Sequence, residues 1–196
     1  MKFLKKMKIG VKLVVAFFGL VIIAGIIGIV GIFNINSLNN NDMALYEDNM
    51  IGMTYGTGAS GYFERARFNM LKATVTYGGT RQECLEKVDQ YKALVDENLA
   101  KYKAAITNDK DSKLYSEIES LWTQYKAVLD NTKALVEEYK TSRASEYLLN
   151  EGAEIATPLQ QAFIDLTDYN VEAGAARAEQ NSSAAHNAKL SMIVML

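Results

Sequence analysis

Three side chains on one short stretch, Tyr62, Arg65 and Arg67, have the types and spacing to hold an anion. A guanidinium presents a rigid fork of N–H donors that matches both oxygens of a carboxylate, and such charge-assisted pairs are stronger than neutral hydrogen bonds. The competing reading of these arginines is a surface ion pair, with Glu64 the acid beside Arg65. Just upstream, Gly56-Thr57-Gly58-Ala59-Ser60-Gly61 spells the dinucleotide fingerprint G-x-G-x-x-G. That motif cradles a pyrophosphate only where it follows a strand and opens the helix of a βαβ unit. The surrounding pattern is helical, so no nucleotide cofactor is expected. Gly52, Gly56, Gly58 and Gly61 should each cost roughly 1 kcal/mol inside a helix. Close packing against a dimer mate or a pocket would offset that cost, and a local break in the helix would avoid it.

The remaining candidates point to structure rather than chemistry. His186 stands alone near the C-terminal end and reads as a surface or interfacial residue. Cys84 follows a helix start and reads as a core-facing or half-buried thiol; as the single cysteine it excludes an intramolecular disulfide. Asp109 and Asp111 lack the glycine and terminal glutamate of a calcium loop, so a helix cap accounts for them better. Tyr91, Tyr125 and Tyr139 fall on apolar stripes and are expected in the core. No Ser-His-Asp set, HExxH pattern or paired-cysteine metal spacing is present. Neither a metal, a cofactor nor an enzymatic activity is expected.

The element that must position everything else is Leu13 to Phe33. These 21 residues hold no charge and no Asn, Gln, Ser or Thr. At 1.5 Å per residue a helix of that length is about 31 Å, roughly a bilayer's hydrocarbon thickness. Fifteen of its members are Leu, Ile, Val or Phe, which together favour insertion by roughly 5–9 kcal/mol. A cleaved signal peptide would have a shorter apolar run and a small-residue cleavage site, and Ile29-Val30-Gly31-Ile32-Phe33 offers a poor one. Residues 13–33 are therefore expected to span the cytoplasmic (inner) membrane.

Charge sets the orientation. Lys2, Lys5, Lys6, Lys8 and Lys12 precede the span, and the first acidic residue is Asp42. The positive-inside rule places residues 1–12 in the cytoplasm and the remainder in the periplasm or extracellular space. All 23 acidic residues lie beyond the span with 16 Lys and Arg, a net charge near −7. No nucleic acid is expected to bind an exterior so short of basic surface.

Residues 34–188 read as one all-α domain. An amphipathic pattern continues to Tyr77, where Gly78-Gly79 breaks it and Thr80-Arg81-Gln82-Glu83 reads as a capping box. The second helix shows Cys84, Val88, Tyr91, Val95, Tyr102 and Ile106 on one stripe and stops near the polar turn Thr107 to Ser112. The third carries Leu114, Ile118, Leu121, Tyr125, Val128, Thr132, Leu135 and Tyr139 at unbroken 4-3 spacing, flanked by Trp122, Leu129 and Val136. A second break at Thr141 to Gly152 could hold a short helix at 144–149. The last helix starts near Ala153 and runs through Leu159, Ala162, Leu166, Tyr169, Ala173 and Ala176, with Pro158 early in it. Two long legs joined by a shorter hairpin make an up-down-up-down four-helix bundle. The apolar run at 189–196 is expected to begin a second transmembrane helix that the chain end cuts short.

The stretch Met7-Lys8-Ile9-Gly10-Val11-Lys12-Leu13 and, after the glycine-studded span, Gly28-Ile29-Val30-Gly31-Ile32-Phe33-Asn34-Ile35-Asn36-Ser37-Leu38-Asn39 resemble the start of bacterial methyl-accepting chemotaxis proteins. The whole chain looks like the sensory front of that family, with its four-helix-bundle ligand-binding domain. The resemblance implies a homodimer of bundles side by side and a small-molecule ligand or ligand-loaded binding protein outside the membrane. It also implies cytoplasmic signalling proteins reached through a further C-terminal part. Ala24, Gly28 and Gly31 form a small-residue stripe that would permit close helix approach in the membrane. In amino-acid-sensing relatives, helix-one arginines and a helix-four threonine hold the ligand. Arg65 and Thr157 stand about 32 residues from their respective spans, so Arg65, Arg67, Tyr62 and Thr157 are the candidate ligand-binding residues. The full set of three spaced arginines is missing, which leaves amino-acid specificity open. The same sensor type precedes histidine kinases and nucleotide cyclases, and a ligand-free dimerisation stalk is a third reading.

Overall fold

The computed structural model describes residues 8–195; Lys2, Lys5 and Lys6 of the basic N-terminus and Leu196 of the terminal apolar run lie outside them. Every regular element among the described residues is helical: α1 (Ile9–Ala44), a π-helical segment (Leu45–Ile51), α2 (Gly52–Val75), α3 (Gly78–Ala105), α4 (Asp109–Glu137), α5 (Thr141–Leu149) and α6 (Glu151–Met195). The chain forms two compact units. One is Leu45–Ala175; the other holds α1 and the part of α6 from Ala176 onward.

Helix α1 is apolar on all sides rather than along one stripe. Phe17, Phe18, Leu20, Ile22, Ile26, Ile29 and Phe33 are all exposed, and none of its most apolar window is buried inside the protein. A soluble protein does not display such a surface to water. Among the described residues it is the one helix long and apolar enough to cross a membrane, which indicates membrane anchoring. It continues beyond Phe33 to Ala44 without a break. Within the same unit the C-terminal part of α6 touches α1. Asn181 donates to Asp42 at 2.8 Å, and a Cβ on Gly31 would stand 3.9 Å from the Met192 methyl.

The other unit is the four-helix bundle, built from α2, α3, α4 and the first part of α6, with α5 inserted between α4 and α6. Helices α2 and α3 form a hairpin through Thr76-Tyr77. Gly78 opens α3 with φ of +56°, a conformation that costs glycine least. The capping box expected at Thr80 does not start this helix. It begins two residues earlier with Tyr77 at the cap and no side-chain cap bond, while Arg81 Nε donates back to the Thr76 carbonyl at 2.9 Å. The next cap is as expected in place: Asn108 accepts from the Asp111 amide at 3.0 Å, satisfying one of the orphan donors of α4. Asp109 and Asp111 occupy the first turn of α4, where negative charge is favoured.

The core centres on aromatics. Phe63 of α2 meets Tyr125 edge-on at 5.2 Å between centroids, Trp122 at 6.3 Å and Phe163 of α6 at 5.9 Å. On α4 the buried face joins half of the expected stripe to its flank. Trp122, Leu129 and Val136 are fully buried together with Tyr115, Ile118, Tyr125, Val128 and Thr132. Leu114, Leu121 and Leu135 only pack against the edge of that core. Tyr139, expected in the core, lies past the helix end, 84% exposed with φ of +63°. Cys84 is a buried free thiol, as expected.

The α3–α4 hairpin carries its register in ion pairs. Lys133 meets Asp89 at 2.7 Å, Lys92 meets Asp130, Lys126 meets Asp96 at 2.9 Å and Lys103 meets Glu119 at 3.3 Å. Each step along α3 is matched by an equal step back along α4, the mark of antiparallel packing. Exposed pairs of this kind add about 0–1 kcal/mol apiece, so they specify alignment more than stability.

Candidate functional site

The four residues singled out from sequence do not come together as one site: Tyr62 and Arg65 share a face, and Arg67 and Thr157 lie apart from them. Arg65 is exposed, its guanidinium carbon 5.4 Å from the Tyr62 ring centroid. Tyr62 is half-buried and stacks on Tyr91 of α3 at 6.0 Å. Arg67, two residues on, points the other way, toward α4 and α5. Thr157 lies on the exposed face of α6, and no described contact links it to either arginine. The ion pair foreseen for Arg65 with Glu64 belongs to Arg67 instead. Positions i and i+3 share a helix face, whereas i and i+1 do not.

Arg67 borders a cleft of about 250 Å³ lined by Glu64, Phe68, Leu71, Tyr125, Leu148 and Leu149. Its Nη1 donates to both Glu64 oxygens, at 3.0 and 3.1 Å, and its Cζ lies 5.4 Å from the Phe63 ring. The Tyr125 phenol is buried, which pushes its pKa up to about 12, with the neighbouring Arg67 charge and hydrogen bond pulling partly against that. One wall is α5, whose last turn supplies Leu148 and Leu149. Sequence reasoning missed this wall: it identified a short helix at 144–149 but assigned it no surface to cover.

The glycine cluster is explained within the chain. Cβ atoms added at Gly52 and Gly56 would stand 3.6 and 3.4 Å from the Tyr102 ring, and one at Gly58 only 2.7 Å from Asn98 Oδ1. The preceding π-helical turn provides the local irregularity. Gly61 has open space and borders a shallow groove with Thr57, Ser60, Ile164 and Asp168. Tyr102 in turn anchors a buried polar chain. Its hydroxyl donates to Asp111 at 2.5 Å and accepts from Asn170 at 2.6 Å. Asn108 accepts from Tyr169 at 2.8 Å beside it. Asp111 is thus a member of this network as well as a first-turn acid.

His186 is exposed on α6. Among the described residues no three His, Cys, Asp or Glu side chains gather as a metal ion would require. What the bundle offers is an arginine-edged amphipathic cleft.

A long apolar helix that indicates membrane anchoring and a four-helix bundle define the class of membrane-anchored helical-bundle proteins. Residues 6–185 match the family described as a four helix bundle sensory module for signal transduction, and the chain belongs to that family. It is also similar to a sensory transducer protein of Acetivibrio thermocellus, 27% identical over 130 residues. That alignment covers 66% of this chain and 23% of the relative, so the chain spans under a quarter of that protein's length.

Proposed function

We propose that this chain is the sensory and membrane-anchoring part of a chemoreceptor. It binds a small solute outside the cytoplasmic membrane and passes the event inward. The observation that carries this reading is the Arg67 guanidinium at the edge of a cleft in the bundle of a sensory module. The similarity to a protein described as a sensory transducer supports a role in signal transduction. Lys8 and Lys12 before the apolar run, with Lys2, Lys5 and Lys6, support a cytoplasmic N-terminus. The chain acts as a receptor without catalysis, and as a homodimer whose signal reaches cytoplasmic signalling proteins. Ligand shifts a two-state packing equilibrium of the bundle, and α6, which carries both Asn170 of the bundle and Met192, is the element that transmits it.

Two measurements test this. A membrane-impermeant thiol reagent applied to intact cells is expected to label Lys126→Cys and not Lys2→Cys; the reverse pattern would invert the topology and remove an external solute as the input. A thermal-shift screen of the full chain against organic acids, amino acids and sugars is expected to find at least one stabilising solute. A bundle serving only as a stalk would respond to none.

A further inference from the structure

The geometry points to the Arg67 cleft as the binding site of a small amphipathic monocarboxylate, gripped between α2 and the short helix α5. For its role in signalling this rests on the sensory reading above; the binding event itself does not.

Three features select the chemistry. The first is a pair of donors with capacity to spare. Glu64 engages Arg67 through one nitrogen, Nη1, and among the described residues the rest of the fork meets only the Tyr125 hydroxyl. Tyr125 is 1% exposed, yet no described residue accepts its phenolic proton. A buried donor without an acceptor costs about 1–3 kcal/mol, and an incoming carboxylate oxygen would relieve that cost while the second oxygen takes the guanidinium edge.

The second feature is the apolar wall. Phe68 is 65% exposed and Leu149 56%, and with Leu71 and Leu148 they line the same cleft. A hydrocarbon tail would cover them. At roughly 30 Å³ per water-sized group, the volume admits about eight such groups, enough for a carboxylate and a short branched or aromatic tail. The third is the charge count. Among the described residues Arg67 is the single cationic side chain lining the cleft, so a second carboxylate would find no partner there. Glu64 is already turned toward Arg67, and a ligand carboxylate must compete with it.

The test uses the full chain in nanodiscs with 4-methylpentanoate and benzoate as probes, read by titration calorimetry. Both acids are expected to bind, and 4-methylpentanamide, leucine and glutarate at least about tenfold more weakly. Arg67→Gln should weaken binding about tenfold to a hundredfold and Tyr125→Phe by several-fold. Glu64→Gln should tighten it, because the competing carboxylate is gone, and Arg65→Gln should change nothing. Should Arg67→Gln fail to fold, Tyr125→Phe together with Leu149→Ala on the exposed rim carries the same comparison. If leucine binds more tightly than the acids and Glu64→Gln weakens it, the site takes zwitterions and the assignment is overturned. If neither acid binds while another solute stabilises the chain independently of Arg67, the cleft is not the site although the sensory reading survives. If no solute binds at all, both fall.

Discussion

Asn170 of α6 donates to the hydroxyl of Tyr102 on α3 at 2.6 Å, across 68 residues of sequence. That hydroxyl donates its own hydrogen bond to Asp111 at the start of α4, and the ring behind it fills the space left by Gly52 and Gly56 of α2. All four long helices of the bundle therefore meet at one tyrosine. Buried polar groups cost little when paired and much when one partner is removed.

Tyr102→Phe keeps the ring and its glycine contacts but takes the shared oxygen from Asp111 and Asn170. The expected loss is about 1–3 kcal/mol, seen as a lower urea midpoint with an unchanged slope. Asn170→Ala should cost a similar amount. An unchanged midpoint for both would mean the chain of bonds does not form.

Two glycines should respond to alanine with opposite signs. Gly61 lies inside α2 with nothing within 4 Å of an added Cβ, so Gly61→Ala should stabilise by about 0.5–1 kcal/mol through helix propensity alone. Gly152 is buried, and its added Cβ would stand 3.1 Å from the Val128 methyl; Gly152→Ala should destabilise by about 1–3 kcal/mol through overpacking. Melting temperatures of the two variants check the contrast.

Trp122 is 1% exposed and its indole N–H donates to Asp96 at 2.7 Å. Trp122→Ala removes a core aromatic and should cost about 3–5 kcal/mol. Trp122→Phe keeps most of the packing, and Asp96 retains Lys126, so its cost should be well below that. Equal losses for the two would indicate that the hydrogen bond, not the packing, dominates at this position.

Burial raises the tyrosine pKa values: Tyr115 and Tyr125 are pushed up to about 12 and Tyr102 is raised as well. The unfolded chain releases these protons near pH 10. Stability from the neutral phenols is thus fully present below about pH 10 and is lost as pH rises through about 12. The melting temperature is expected to fall over that window, and tyrosinate absorbance to rise at the unfolding transition. Tyrosinate appearing fully at pH 10 without unfolding would contradict the burial of these rings.

Much was legible before any tertiary structure. Twenty-one uncharged residues and five preceding lysines indicate an anchor, because a helix is the one form in which a single segment satisfies its own backbone in hydrocarbon. Apolar residues at 4-3 spacing, and a polar turn at Asn108 that became a cap, determine long amphipathic helices and hence a bundle. Only packing decided the rest. An apolar stripe covers more than 100° of a helix, so Leu114 and Tyr115 both fit it, and the neighbours of α4 buried Tyr115, Trp122 and Leu129 beside Ile118 and Tyr125 while leaving Leu114 and Leu121 at the edge. Arg65 and Arg67 look like one site in sequence, yet residues two apart diverge by roughly 200° around a helix. The fold sends one to Tyr62 and the other to the cleft beneath α5. Periodicity is a local property that a sequence carries in full; which half of a face meets which partner depends on contacts between residues far apart in the chain.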